Sequence, residues 1–213
     1  MRGLLLTNFY LVYRSILAYT GLAILIAGIL LYFGGSSMQG IATLLIILLM
    51  AMPSLEVIKT ESKSDYDKFV LTLPITRSNV VQSHYTFYFC IVIIGAVLSY
   101  CIFYVYNNMT ETPTDSLFNI VAMGLFVVLV AGSIVYPLLY IFGANKSDAI
   151  VLGGGIAGFF ARFGFGYIVA DLPLSSLKLD LSITIPILFI TVGIILYIFS
   201  YFIALVIYQK KEF

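Results

Sequence analysis

Charged residues are scarce in this 213-residue chain, at 10% of positions against roughly 25% in soluble globular domains. The single histidine and the two cysteines leave no cluster of metal ligands and no set of residues for nucleophilic catalysis. A GxxxxGK[ST] nucleotide-binding motif is also missing. Hydrophobic residues, by contrast, make up 62% of the chain. These shortages exclude most soluble enzymes and favour an integral membrane protein.

The two cysteines, Cys90 and Cys101, fall in one apolar stretch that is predicted to be helical. They are eleven positions apart. At about 1.5 Å of helical rise per residue, roughly 16 Å separates them, which is too far for a disulfide bond. We predict that both are apolar packing residues.

Six apolar stretches approach or exceed the 20 or so residues that a helix needs to cross a hydrocarbon core about 30 Å thick. They cover residues 16–33, 41–58, 84–106, 117–142, 149–170 and 183–208. We therefore predict an all-α integral membrane protein with six transmembrane helices in a single domain, residues 1–213. Residues 1–15 are mostly apolar with a narrow polar stripe. They either lie in the membrane interface as a helix or extend the first span into the cytoplasm.

Basic residues are distributed asymmetrically in this arrangement, because nine of the eleven Lys and Arg residues fall on one side. Short cytoplasmic loops retain Lys and Arg, so both termini are predicted to be cytoplasmic. The nine residues are Arg2, Arg14, Lys59, Lys63, Lys68, Arg77, Lys146, Lys210 and Lys211.

A glycine run at residues 153–158 matches GxGxxG in letters only. It lies inside an apolar span and follows no strand, which excludes a dinucleotide site. Gly154 and Gly158 have the GxxxG spacing that allows close helix packing, and Ala157 and Ala161 continue that face.

Three prolines, Pro53, Pro137 and Pro186, lie within or near predicted spans. Each removes a backbone donor and is expected to kink its helix. In a membrane the freed carbonyl must find another partner. The prolines therefore indicate a packed bundle rather than isolated helices.

The long loop at residues 59–83 contains a predicted amphipathic helix, residues 64–73. Ser64 is a suitable N-cap, and Pro74 ends the helix because the residue before proline avoids the α region. Its apolar stripe consists of Tyr66, Phe69, Val70 and Leu73. Its polar face contains Asp65, Asp67, Lys68 and Thr72. The stripe either rests on the chain's own bundle and the lipid interface or enters a groove of a cytosolic partner.

This loop resembles the loop after the second span of ABC-2 type exporter permeases. The resemblance is carried by Glu61, Asp65 and Phe69, by Leu73-Pro74-Ile75-Thr76-Arg77, by Val80-Val81 and by His84-Tyr85. The family more often has lysine where this chain has His84. A second similar stretch comprises Tyr136-Pro137-Leu138, Phe142-Gly143 and Lys146. The chain also resembles the permeases of the staphylococcal exporter of phenol-soluble modulins, which are amphipathic helical peptides.

The resemblance implies that residues 64–73 form the coupling helix, which docks on a separate ATP-binding cassette subunit. ATP and magnesium would be bound by that ATPase and not by this chain, which would be a permease rather than an enzyme. The implied docking residues are Asp65, Tyr66, Asp67, Phe69, Val70, Leu73 and Arg77. Lys146 is the implied second cytoplasmic contact. A second permease, identical or different, would complete the pathway in the bacterial cytoplasmic membrane.

Arg162 lies inside the fifth predicted span, where a charge facing lipid costs on the order of 3 kcal/mol. It either extends to the outer lipid phosphates or lies in the translocation path, in one version paired with Asp171. Gly164 and Gly166 disfavour a continuous helix. We therefore expect a break here, with residues 159–180 forming a re-entrant or external element.

A different class of function also fits the sequence, namely a membrane-embedded binding or immunity protein that works without ATP. The only histidine, His84, lies where the loop enters the third predicted span, and we expect it at an interface rather than in catalysis. No feature of the chain indicates a nucleic-acid partner. Co-purification of an ATPase would separate the two classes.

Overall fold

A computed structural model of the chain describes residues 2–64, 76–110, 117–171 and 180–210, and every regular element in these ranges is helical. The predicted all-α architecture is confirmed for them. Two 3-10 turns, Gly35–Met38 and Ala144–Lys146, join helices. The α-helices are α1 (Arg2–Gly34), α2 (Gln39–Leu55), α3 (Val57–Lys63), α4 (Arg77–Thr110), α5 (Leu117–Phe142), α6 (Ser147–Asp171) and α7 (Leu181–Lys210).

Five helical stretches in the described ranges are long and apolar enough to cross a membrane, so the chain is a multi-pass membrane protein. The first of them, Gly3–Lys63, contains α1, α2 and α3. Within it the Tyr19 hydroxyl of α1 lies 3.5 Å from Glu56 Oε1, directly after α2. Helices α1 and α2 therefore run antiparallel around the turn at Gly35, whose φ of +56° favours glycine.

Helix α1 includes both the N-terminal extension and the first apolar stretch without interruption. Asn8, in the predicted extension, is buried, as is Val12. Val12 belongs to an apolar cluster that also contains Val57 of α3 and Phe87 of α4. The extension thus packs against the bundle in the same helix as the first apolar stretch.

Helix α5 occupies the middle of the bundle and contacts α2, α4, α6 and α7. It is apolar around its whole circumference, as expected for a helix that is covered on all sides. Val128, Leu129, Val135 and Leu139 are among its fully buried side chains. These four helices are therefore positioned by their packing against α5.

Pro137 lies inside α5, and the carbonyl that its missing N–H leaves free belongs to Ser133. The Ser200 hydroxyl of α7 donates to that carbonyl at 2.6 Å. The prediction that a neighbouring helix satisfies a carbonyl freed by proline is confirmed at this position. The same bond fixes α7 against α5.

Gly154 and Gly158 of α6 are buried against α5, as the GxxxG spacing predicts. A Cβ atom on Gly158 would lie 2.5 Å from the Val127 carbonyl oxygen, and one on Gly154 would collide with the Val135 side chain. Ala161 continues this contact, packed against the cluster that contains Phe126 and Phe189. Only the absence of side chains at these glycines allows α6 to approach α5 so closely.

The expected break in the fifth span is wrong, because α6 continues through Gly164 and Gly166 to Asp171. Within a membrane, backbone groups must pair inside the segment, and this requirement outweighs the low helix propensity of glycine. Of the predicted external element at residues 159–180, residues 172–179 lie outside the described ranges.

The prediction for the cysteines is half right. Cys90 and Cys101 are free thiols, but both are exposed on the surface of α4 and pack in no core. The buried face of α4 carries Tyr88, Ile91 and Val92 instead. Cysteine is apolar enough to face lipid, so composition alone did not distinguish the two faces of this helix.

The predicted loop at residues 59–83 is shorter than expected, since α3 contains its beginning and α4 its end. Thr76 directly precedes α4. The Ser64 hydroxyl donates to the carbonyls of Thr60 and Glu61, so it closes the last turn of α3. Apart from Ser64, the predicted coupling helix lies outside the described residues.

Candidate functional site

Polar side chains gather at one end of the bundle, where α3, the first turns of α4 and the last turns of α5 and α7 meet. We call this the basal end. It includes both boundaries of the segment 65–75, because α3 precedes that segment and α4 follows it. Any force on the segment must enter the bundle through α3 and α4.

A buried carboxylate–imidazole pair connects these two helices. Glu61 Oε2 of α3 lies 3.0 Å from His84 Nε2 of α4, and the two side chains are only 8% and 3% exposed. The second ring nitrogen of His84, Nδ1, lies 2.8 Å from the Tyr140 hydroxyl of α5. The imidazole thus bridges a carboxylate on one side and a phenol on the other, and it joins three helices.

Local sequence explains why these polar groups are buried. Glu61 follows Val57 by one helical turn, and both face the bundle. His84 lies one turn from Val80 and one turn from Tyr88 on the buried stripe of α4. Each polar residue therefore occupies a core position of an otherwise apolar helix face.

Tyr136 of α5 adds a second connection at the basal end. Its hydroxyl lies 3.3 Å from the Ser54 carbonyl oxygen and 3.4 Å from that of His84, both at hydrogen-bond distance. Ser54 is in the last turn of α2, where backbone carbonyls lack partners within the helix. One phenol thereby links the end of α2 to α4.

A seam of tyrosines continues from this point along α4, α5 and α7. The Tyr85 ring centroid lies 4.7 Å from that of Tyr136 and 5.0 Å from that of Tyr197. Because Ser200 gives its proton to the Ser133 carbonyl, the Tyr85 hydroxyl must donate to Ser200 Oγ, at 2.8 Å. The seam therefore joins the basal end to the interior through aromatic packing and fixed hydrogen bonds.

Two of the predicted cytoplasmic residues lie at the basal end. Arg77 Nη1 donates to the Gln209 carbonyl of α7 at 3.0 Å, which fixes the start of α4 to the last turn of α7. Lys146 is exposed, with its ammonium 5.4 Å from the Phe142 ring, in a turn that contacts α3. The other predicted docking residues lie outside the described ranges; they are Asp65, Tyr66, Asp67, Phe69, Val70 and Leu73.

Arg162 lies elsewhere, in the half of α6 that is farther from the basal end. Its Nη2 is 3.3 Å from Met123 Sδ of α5, and its guanidinium carbon is 5.8 Å from the Phe163 ring centroid. Among the described residues it forms no ion pair, with Asp171 or with any other carboxylate. The half-buried guanidinium therefore has a thioether sulfur of α5 and a largely exposed aromatic ring as neighbours.

The Glu61–His84 pair was missed as a site. His84 was expected at an interface, whereas the structure buries it in the bundle. The spacing of Val80, His84 and Tyr88 could have revealed this, since all three share one face of α4. Nothing in the sequence alone shows that Glu61 lies opposite.

An apolar cleft of about 340 Å³ opens between α4 and α7, beside the tyrosine seam. Its polar side chains include Gln82 and Thr86, and the hydroxyls of Tyr85 and Tyr197 already bind to the bundle. Such a lining suits hydrocarbon and offers little to orient a polar ligand.

Comparison with known proteins identifies the chain at the level of its family. A family model described as ABC-2 family transporter protein matches residues 3–209. Searches of curated proteins and of solved structures found no match. Because the family match takes in nearly the whole of this bundle of apolar helices, the chain belongs to the ABC-2 family and is the membrane component of a transporter rather than an enzyme.

Proposed function

We propose that this permease forms half of the translocation pathway of an ATP-binding cassette exporter and is driven by a separate ATPase subunit. The observation that carries the proposal is the construction of the basal end. Helix α3 precedes the segment 65–75 and α4 follows it. The Glu61–His84 contact joins these two helices, and Arg77 joins the start of α4 to α7. A partner that moved this segment would act directly on the bundle.

The segment would act through the predicted coupling helix, residues 64–73, whose stripe of Tyr66, Phe69, Val70 and Leu73 would enter a groove of the ATPase. Asp65, Asp67 and Arg77 would border that contact, and Lys146 would add a second one. ATP and magnesium would be bound by the ATPase. A second permease, identical or different, would supply the other half of the pathway.

The proposed topology has six spans with both termini in the cytoplasm of a bacterial cell. Two observations support it. Helices α1 and α2 run antiparallel within the first apolar stretch, which would make two spans of it. The nine basic residues would then lie on the cytoplasmic side.

The proposed cargo is an amphipathic or antimicrobial-type helical peptide, a substrate class that rests on the resemblance described above. Arg162 is the proposed contact in the translocation path, because its charge lies among membrane-spanning helices without a carboxylate partner in the described residues. A guanidinium in that position could bind a carboxylate or a backbone carbonyl of a peptide.

The test is to purify the tagged permease from cells that also produce a candidate ATPase, and to measure ATP hydrolysis of the recovered complex. We expect a stoichiometric complex whose rate of ATP hydrolysis differs from that of the ATPase alone. An ATP-independent binding or immunity protein would recover no ATPase under the same conditions, and that result would reject the proposal.

A further inference from the structure

The contact between Glu61 and His84 lies at the base of the segment that would face the ATPase. Glu61 is in α3, directly before this segment, and His84 is in the second turn of α4, after it. Their side chains meet at 3.0 Å inside the bundle. The contact therefore joins, inside the bundle, the two helices that precede and follow this segment.

Two features make this contact depend on both of its side chains. Both are more than nine-tenths buried, where a polar group needs a partner. His84 Nε2 lies 3.0 Å from the Glu61 carboxylate, while Nδ1 of the same ring contacts the Tyr140 hydroxyl. Removal of one side chain alone would therefore leave a buried polar group of the other without this partner.

Among the described residues, helix α3 forms one other contact between a basic and an acidic side chain, from Lys59 Nζ to Asp148 Oδ1 of α6 at 2.5 Å. The Asp148 side chain is 79% exposed. Exposed pairs contribute little because water and ions screen them. The buried Glu61–His84 pair is thus the stronger constraint on the position of α3.

From His84 the constraint continues into the rest of the bundle. Nδ1 of its imidazole contacts the Tyr140 hydroxyl of α5 at 2.8 Å. The Tyr140 ring packs on Tyr208 of α7, with centroids 5.1 Å apart. A displacement of α3 would therefore reach both α5, in the middle of the bundle, and α7.

Resting on the proposed function, we propose that Glu61 and His84 are positioning residues that transmit movement of the ATPase-docked segment to α5 and α7. The ATPase pulls or pushes the segment, α3 moves with it, and the contact between Glu61 and His84 makes His84 and Tyr140 follow. Without the pair, the segment can still bind the ATPase but moves independently of the bundle.

The test measures nucleotide-driven movement at the opposite end of the bundle. Spin labels are placed at Ser37→Cys and Leu181→Cys, which are exposed positions beside α2 and in α7, after Cys90 and Cys101 are replaced by alanine. Pulsed electron paramagnetic resonance then gives the distance distribution in lipid nanodiscs. It is recorded for the permease–ATPase complex without nucleotide and after trapping with ATP and vanadate.

The main variant combines Glu61→Gln with His84→Gln, which removes the carboxylate and the imidazole together and leaves neither one buried alone. We expect it to recover as much ATPase as the unaltered permease and to lose the nucleotide-driven shift in distance. His84→Lys is the matched control, because it keeps a donor opposite the Glu61 carboxylate, and it should retain the shift. Tyr140→Phe is a second test that leaves Glu61 and His84 in place, and it should reduce the shift.

A full shift in the double glutamine variant would overturn the inference, and so would a full shift in Tyr140→Phe if the double variant did not fold. Absence of any shift in the unaltered complex would also overturn it, since no movement would then reach the far end. Failure of the unaltered permease to recover the ATPase is a different result, because it rejects the proposed function itself.

Discussion

At the scale of single residues, Gly158 determines how closely α6 approaches α5. A methyl group there would lie 2.5 Å from the backbone oxygen of Val127, which cannot move without displacing the helix. We expect Gly158→Ala to destabilise the protein by about 1–3 kcal/mol, the usual cost of overpacking. In a chain of this size about 1 kcal/mol changes Tm by about 2–4 °C, so Tm in detergent should fall by several degrees.

Gly153→Ala is the matched control for that change. Gly153 is on the same helix, but an added Cβ atom would meet nothing within 4 Å. The substitution should leave Tm unchanged or raise it, because alanine favours helix by up to about 1 kcal/mol over glycine. An equal decrease in Tm for the two variants would show that Gly158 does not stabilise the protein through the α5–α6 contact.

The second residue whose role can be tested alone is Arg162, which neighbours Met123 and the largely exposed Phe163. If it binds cargo, Arg162→Ala should lower peptide-stimulated ATP hydrolysis of the complex by about tenfold or more. That figure follows because a hydrogen bond to a charged group contributes about 1.5–3 kcal/mol, and 1.4 kcal/mol is tenfold. Hydrolysis is measured with a synthetic amphipathic helical peptide.

Arg162→Lys serves as the comparison for Arg162, since it keeps the charge but not the planar fork of donors. We expect it to retain part of the stimulation, while ATPase recovery stays constant in both variants. Unchanged stimulation in Arg162→Ala would instead place the guanidinium at the lipid phosphates, with no part in transport.

At the scale of helices, the predicted coupling helix is tested through its two faces. Phe69→Ala with Leu73→Ala should weaken ATPase binding by about two to four orders of magnitude, because burying each side chain contributes roughly 1.5–3 kcal/mol. Lys68→Ala with Thr72→Ala, on the other face, should have far less effect. Recovery of the ATPase on the tagged permease is the measurement, and solubilised yield is the folding control.

Equal recovery of ATPase from these two double variants would mean that the stripe rests on the permease itself. The fixed positions of Glu61 and Arg77 at its two sides would then hold a closed structural loop rather than a docking element.

The helices themselves were largely predictable, since a membrane core requires long apolar segments and each of these forms a helix. The bond from Ser200 to the Ser133 carbonyl was predictable in kind, because Pro137 leaves that acceptor free. The identity of the donor was not, since it belongs to another helix. The uninterrupted helix through Gly164 was mispredicted because propensities measured in water underestimate the demand for backbone pairing in lipid.

The candidate site was less predictable than the fold. Arg77 and Lys146 were expected at one end because basic residues mark that side of a membrane, and the structure brings them to the basal end. Glu61 and His84 come from separate helices, and no local pattern shows that two polar residues of different helices meet. Tertiary packing alone brings this pair together.

At the scale of the whole molecule, the direction in which the bundle crosses the membrane decides whether an ATPase can reach it. The Gln39–Asn107 hydrogen bond places the α1–α2 turn beside the end of α4, so Ser37 and Thr110 lie together at one end. Ser62 of α3 lies at the basal end, and all three side chains are exposed. Moving Lys or Arg through a bilayer centre costs about 2.5–3.5 kcal/mol per residue, which opposes inversion of the bundle.

In a background without Cys90 and Cys101, we expect a membrane-impermeant maleimide to label Ser37→Cys and Thr110→Cys in intact cells. It should label Ser62→Cys only after the cells are permeabilised. Labelling of Ser62→Cys from outside would put the basal end on the outer surface, where no cytosolic ATPase could bind it.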